Sequence, residues 1–118
     1  MAITIKNHKV LMEVLAAPYH SKLIQLMVWV CIRHNPVIMT SGYRGPNGNS
    51  VHNQRPCRGL DIRSTVYDDP QAVVDDLNRY ATYDPTRPSK KCAILHDVGK
   101  GVHIHLQVHH STTFNKPD

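Results

Sequence analysis

The sequence predicts an α+β domain in which helices pack on a small, mostly antiparallel sheet. Three observations support this class: apolar helical segments open the chain, short apolar runs bounded by turn residues follow, and a strictly alternating strand lies near the C-terminus. The predicted order is helix, helix, strand, long loop, strand, helix and hairpin. The 118 residues suffice for one hydrophobic core, so a single domain over residues 1–118 is expected.

Cap residues and helical spacing of apolar side chains predict three helices. The first covers residues 7–17 and is ended by Pro18. Ser21 is expected to cap the second helix, in which residues 23–32 are apolar nearly all round, as is typical of a core helix. The third begins after Asp69, an N-cap followed by proline.

The strands are predicted from short apolar runs and from alternation. Three runs bounded by turn residues predict strands at residues 37–40, 59–63 and 93–96. The strand 102–109 alternates strictly, with Val, Ile, Leu and Val on one face and His, His, Gln and His on the other. A turn at residues 99–101 makes it the second strand of a hairpin. The tail, residues 111–118, is polar and is expected to fray.

Composition and charge narrow the classes of function. The net charge of +5 and the pI near 9.3 favour an anionic partner, such as a cell-wall polymer, a nucleic acid or an acidic peptide. The 14 Lys and Arg residues are scattered without a run of five, so no dedicated nucleic-acid site is expected. Neither a signal peptide nor a membrane span is recognisable, which predicts a protein that is cytoplasmic as synthesised.

The cysteines do not suggest a disulfide framework. There are three, an odd number, and their spacing is wide and irregular, as is typical of a reducing compartment. Cys31 and Cys92 are expected in the core. Cys57 is expected to be an ordinary loop residue, although its neighbourhood also allows a reactive thiol or a metal contact.

Three side chains can converge on a metal site. His52 ends a long loop rich in Gly, Pro and Asn, Asp61 lies on the strand that follows, and His105 lies on the alternating strand. Two imidazoles and one carboxylate, with a fourth position left for water, form the ligand set of a catalytic zinc site. The alternative is a His-rich edge strand without chemistry.

Four motifs follow one another along residues 23–108. They are Ser-Gly-Tyr-Arg at 41–44, Ser-Val-His at 50–52, Gly-Leu-Asp-Ile-Arg at 59–63 and His-Ile-His at 103–105. Together they resemble the zinc D-alanyl-D-alanine carboxypeptidase and hedgehog superfamily, which includes van-type D,D-dipeptidases and phage L-alanyl-D-glutamate endolysins. The resemblance implies a hedgehog/D,D-peptidase-like fold, one zinc ion per chain bound by His52, Asp61 and His105, and hydrolysis of an amide in peptidoglycan peptides.

The same resemblance implies roles for residues around the ligands. Arg44, Ser50 and His103 are the expected substrate-side residues: Arg44 holds a substrate carboxylate or the developing oxyanion, Ser50 steadies the loop, and His103 supports a ligand or contacts substrate. The carboxylate that serves the family as general base has no counterpart at its usual place here. Asp97 is the nearest acid and His96 is the second choice as base.

The segment between the first two ligands also departs from the family. Eight residues separate His52 from Asp61, more than the family usually has. An insertion is therefore expected at residues 55–58.

Two other interpretations stay open. The stretch His103–Val108 also resembles the histidine-triad nucleotide hydrolases and transferases, in which His105 would attack a phosphate; this leaves residues 41–61 without a role. The second open interpretation is a non-catalytic zinc-containing binding domain. If the protein is a peptidase, its expected partner is peptidoglycan or a D-amino-acid-containing peptide. The protein would reach this partner after release from the cell, as an endolysin does, or as part of a virion.

Overall fold

The computed structural model describes residues 2–97 and 101–115. In these ranges the helices are α1 (His8–Leu15), α2 (Ser21–Arg33) and α3 (Pro70–Tyr80), and a single 3₁₀ turn spans Val51–Asn53. The strands are β1 (Ile3–Ile5), β2 (Val37–Ser41), β3 (Gly59–Arg63), β4 (Ala81–Thr82), β5 (Ala93–Asp97), β6 (Val102–Gln107) and β7 (Thr113–Phe114). The α+β class is confirmed, and α1 and α3 begin directly after the predicted caps, Asn7 and Asp69.

Five strands form one mixed sheet in the order β1-β2-β3-β6-β5. β1 runs parallel to β2, and the other three pairs are antiparallel. In the β5–β6 hairpin, Ala93 lies opposite Leu106 and Asp97 lies opposite Val102. Residues 98–100, which include the first two residues of the predicted turn at 99–101, lie outside the described part of the chain. β4 and β7 pair separately as a two-stranded ladder.

The hydrophobic core lies between one face of this sheet and the helices α2 and α3. Its fully buried members include Leu23, Leu26 and Val30 from α2, Leu77 from α3, and Leu60, Ile62, Ile104 and Leu106 from the two central strands. Because successive strand residues point to opposite faces, the polar residues of β3 and β6 lie on the other side of the sheet. That second face carries Asp61, His103 and His105.

α2 differs from its prediction in two respects. The cap is His20 instead of Ser21, because the Nδ1 atom of His20 accepts a hydrogen bond from the backbone N–H of Lys22 at 3.1 Å. The helix is also not enclosed by the core, since Ile24 and Ile32 are 46% and 66% exposed. The sheet covers only one side of α2. Because the helix is apolar nearly all round, its sequence does not indicate which side is buried.

The tail is more ordered than its polarity predicts. Thr112 is buried, and Phe114 lies in β7 with its ring centroid 5.2 Å from that of Tyr80. The predicted fraying is therefore wrong for residues 111–115, which are held by contacts with a distant helix. Residues 116–118 lie outside the described ranges.

All three cysteines are buried and carry free thiols, and Cys31 and Cys92 are core residues as predicted. Cys57 is fully buried as well, with its Sγ atom 3.2 Å from the carbonyl oxygen of Gly59. Burial raises the pKa of the Cys57 thiol, which disfavours a reactive thiolate at this position. Within the described residues, no helix has the length and apolar character needed to cross a membrane.

Candidate metal centre

The structure brings His52, Asp61 and His105 together on the polar face of the sheet. His105 lies opposite Asp61 in the β3–β6 ladder, and its Nδ1 atom is 3.0 Å from Asp61 Oδ1. The Nε2 atom of His52, from the 3₁₀ turn, is 3.4 Å from the same oxygen. All three residues are buried, and one ligand atom from each lies within 4.8 Å of the other two. We call these three residues the ligand cluster; it could bind a metal ion.

The tautomer of His52 is set by a backbone carbonyl. The Nδ1 atom of His52 lies 2.9 Å from the carbonyl oxygen of Gly42. A carbonyl oxygen only accepts hydrogen bonds, so Nδ1 carries the hydrogen. In the neutral ring, the Nε2 atom therefore presents its lone pair to Asp61.

The tautomer of His105 is also set by a neighbouring group, which contacts its Nε2 atom. The side-chain amide of Gln107 donates to the carbonyl oxygen of Lys91 at 2.7 Å, which turns its Oε1 atom toward His105 Nε2 at 3.1 Å. The Nε2 atom thus donates, and Nδ1 points its lone pair at Asp61. Three acceptor atoms converge on one buried point, an arrangement that a ring proton or a metal ion would stabilise.

Asp61 is held in its ionised form. Burial alone would raise the pKa of this carboxyl, but hydrogen bonds and positive charge from the His105 and His52 rings, in the state in which they carry the extra ring protons, outweigh burial and hold the pKa well below its usual range. The Nη2 atom of Arg44 donates to the second carboxylate oxygen, Oδ2, at 2.7 Å. A charged carboxylate beside two imidazoles is a donor set that suits divalent transition metals.

Glu13 on α1 is a structural support of the site that the sequence analysis missed. Its Oε1 atom accepts hydrogen bonds from the backbone N–H of Gly42 at 2.9 Å and from the hydroxyl of Ser41 at 3.3 Å. The Gly42 carbonyl orients His52, and the Ser41 hydroxyl accepts from Arg44 Nε at 3.0 Å. Glu13 therefore positions two site residues at once. No spacing pattern indicates this, because Glu13 and Ser41 are 28 positions apart.

Ser50 and His103 lie next to the ligand cluster. The Ser50 hydroxyl accepts from the backbone N–H of His52 at 3.1 Å and donates to Asn53 Oδ1 at 3.0 Å, which fixes the turn that carries His52. His103 is half-buried, with its Nε2 atom 3.7 Å from Asp61 Oδ2. Its imidazole can contact both Asp61 and a ligand beside it.

The two candidate general bases lie in different places. The ring of His96 is nearly parallel to that of His105, with centroids 5.5 Å apart, and lies 4.7 Å from the ring of His103. Asp97 lies opposite Val102 in the ladder, and alternation places both on the face away from His105. This register favours His96 over Asp97 as the base. Burial, followed by the neighbouring imidazoles, lowers the pKa of His96, which favours the neutral ring that a base requires.

The segment predicted as an insertion packs on the connection between α1 and α2. The backbone N–H of Cys57 donates to the carbonyl oxygen of Pro18 at 2.8 Å, and its carbonyl oxygen accepts from His20 N–H at 2.9 Å. Gly59 follows at the start of β3, directly beneath the 3₁₀ turn. A Cβ atom at Gly59 would lie 2.3 Å from Val51 Cγ2, so the glycine lets this turn sit close to the strand.

Gly59→Ala is expected to destabilise the protein by about 1–3 kcal/mol, because the added methyl group overlaps Val51. Urea unfolding followed by circular dichroism measures the loss as a lower midpoint. Val51→Ala removes the overlapping atom, so adding Gly59→Ala to that background should cost much less. Equal costs in the two backgrounds would contradict the steric explanation.

An open cleft of about 1050 Å³ lies beside the ligand cluster. Asp61, Arg44 and His103 line it at the sheet, and α1 contributes Lys9 and Glu13. Arg44 is 48% exposed at its side chain, so a molecule in the cleft can reach its guanidinium. Asp61 is the member of the ligand cluster that lines the cleft, so a molecule bound there would lie next to this carboxylate.

Comparisons of the chain with models of protein families, with curated proteins and with solved structures give no match. The resemblance in the four motifs consequently stands as a hypothesis, and the function has to be argued from the site. What the structure establishes is a small α+β domain with a buried group, His52, Asp61 and His105, that could bind a metal ion.

Proposed function

We propose that the protein is a zinc-dependent peptidase that hydrolyses an amide bond in peptidoglycan peptides, as a D,D-carboxypeptidase or as an endopeptidase of the endolysin type. The observation that carries the proposal is the convergence of two imidazole nitrogens and a carboxylate oxygen within 4.8 Å beside an open cleft. Two His and one acidic ligand, with a position left for water, are typical of catalytic zinc sites.

The residues of the ligand cluster fit zinc because their orientation is fixed by other groups. His52 is held by the Gly42 carbonyl and His105 by the Gln107 amide, and such outer contacts strengthen metal binding. A bound zinc ion supplies a Lewis acid that activates water near neutral pH.

Two further residues supply acid–base chemistry and charge. His96, stacked on His105 and favoured in its neutral form, is placed to accept the proton from the attacking water. Arg44 uses its Nε and Nη2 atoms on Ser41 and Asp61 and retains further N–H donors for a substrate carboxylate or the oxyanion. The peptide substrate is supported by the order of the four motifs and by the net charge of +5, which suits an anionic wall polymer.

Metal content and hydrolysis together test the proposal. Elemental mass spectrometry of the purified protein, dialysed against a weak chelator, should give about one zinc ion per chain. Incubation with purified peptidoglycan and with peptides ending in D-alanyl-D-alanine should release products that mass spectrometry identifies. A strong chelator should stop the release, and added zinc should restore it.

The other outcomes are informative. A folded protein without metal would refute the peptidase and make nucleotides, the substrates of the histidine-triad interpretation, the next to assay. A zinc-loaded protein that cleaves no wall peptide would instead favour the non-catalytic binding domain.

A further inference from the structure

Besides Arg44, three cationic side chains line the cleft. Lys6 precedes α1, Lys9 lies in its first turn, and Arg63 ends β3 opposite His103. Both lysines are exposed and Arg63 is half-buried. Cations therefore line the cleft both on its α1 side and along β3.

The acids of the cleft do not balance its cations. Asp61 is ion-paired with Arg44 at 2.7 Å. Glu13 accepts hydrogen bonds from the neutral Gly42 N–H and Ser41 hydroxyl and keeps its negative charge. Within residues 2–97 and 101–115, no carboxylate lies within ion-pair distance of Lys6, Lys9 or Arg63. Among the residues that line the cleft, four cations (Lys6, Lys9, Arg44 and Arg63) thus face two carboxylates (Glu13 and Asp61), which leaves an excess of positive charge.

The strand geometry gives the distance between this charge and the ligand cluster. Asp61 and Arg63 lie two residues apart on the same face of β3, and a strand rises by about 3.3 Å per residue, so their Cα atoms are about 7 Å apart. An extended peptide covers about the same distance in two residues. A substrate with its cleaved amide at the cluster would bring a group two residues away to Arg63.

We infer that Lys6, Lys9 and Arg63 form a subsite for a second carboxylate of the substrate, carried about two residues from the bond that is cleaved. The inference deepens the proposed function and rests on it for the position of that bond. The occupant is a peptide with negative charge on both sides of the cleaved bond. Long-range attraction by the same cations also favours its capture at low ionic strength.

Two probes that differ by one carboxylate test the subsite. Succinyl-glycyl-D-alanine carries one carboxylate at its C-terminus and a second about two residues from the amide of D-alanine, whereas acetyl-glycyl-D-alanine carries only the C-terminal one. NMR titration of the purified full-length protein gives the two dissociation constants. We expect succinyl-glycyl-D-alanine to bind about fivefold more tightly, the effect of a partly exposed ion pair near 1 kcal/mol.

Substitutions should remove this preference without changing the fold. In Arg63→Gln and in the double variant Lys6→Gln/Lys9→Gln the ratio of the two constants should fall toward one. The double variant Lys90→Gln/Lys91→Gln loses the same charge at exposed positions outside the cleft and should keep the ratio. Equal binding of both probes to the wild type, or an unchanged ratio in the cleft variants, would overturn the subsite.

The probes separate this inference from the proposed function. A preserved ratio without any peptide hydrolysis would refute the peptidase and retain the anion subsite, whereas hydrolysis with a ratio near one would refute the subsite alone. Inorganic phosphate serves as a third probe. Tighter binding of phosphate than of succinyl-glycyl-D-alanine would overturn the carboxylate assignment in favour of a phosphorylated ligand.

Discussion

Replacing Asp61 with asparagine is expected to abolish stable zinc binding and to lower kcat/KM for peptide hydrolysis by about three orders of magnitude, or roughly 4 kcal/mol. The neutral amide keeps the shape of the side chain but removes the charge on which two imidazoles converge at 3.0 and 3.4 Å. It also deprives Arg44 of its ion pair. Elemental mass spectrometry and the peptide assay measure the two losses.

Asp68→Asn is the matched control for this variant, because it removes one carboxylate at an exposed position and should leave both properties unchanged. Circular dichroism shows whether the Asp61→Asn protein is folded. A folded variant that still holds about one zinc ion per chain would rule out Asp61 as a ligand.

Glu13→Ala is expected to weaken zinc binding and to lower kcat/KM by about 10- to 100-fold, the usual cost of removing a group that orients metal ligands. The side chain touches no ligand-cluster residue. It acts through Gly42, which orients His52, and through Ser41, which accepts from Arg44. Zinc affinity measured by competition with a chromogenic chelator tests the effect separately from catalysis.

Rescue by the conservative variant distinguishes positioning from a general loss of stability. Glu13→Gln retains the Oε1 acceptor for both hydrogen bonds, so we expect it to recover most of the zinc affinity. Met12→Ala changes the neighbouring residue, which is 68% exposed, and should have no effect. Glutamine as damaging as alanine, or an unaffected alanine variant, would contradict the role of Glu13.

The ligand cluster could be predicted because its signals are local. His105 belongs to a strand whose alternation is visible in the sequence, and Asp61 belongs to a short strand bounded by glycine and polar residues. The order of the motifs places them with His52. Their meeting in space follows from the antiparallel pairing of β3 with β6, which sets Asp61 opposite His105.

Local sequence signals could not decide between Asp97 and His96 as the general base. The two residues are adjacent, and a strand sends adjacent side chains to opposite faces. The register of the hairpin decides which one joins His105, and this register sets His96 opposite His103. A sequence that shows the hairpin without its register leaves both candidates open.

Long-range contacts explain the other differences between the structure and the sequence predictions. Glu13 reaches Ser41 only because α1 packs beside β2 with one particular rotation, which helical periodicity does not specify. β7 forms because Thr113 pairs with Thr82 in β4, and neither short segment carries an apolar pattern of its own. Such pairings depend on the whole fold, so local sequence signals miss them.

The position of the ligand cluster at the centre of the sheet would link metal binding to folding. Asp61 and His105 are 44 positions apart in the chain and meet only when β3 and β6 pair, so the unfolded chain cannot offer the complete cluster. An ion that binds the native state alone, at a free concentration of about 100 times its dissociation constant, adds about 2.7 kcal/mol to the free energy of unfolding. Metal supply would then set the lifetime of the folded protein as well as its activity.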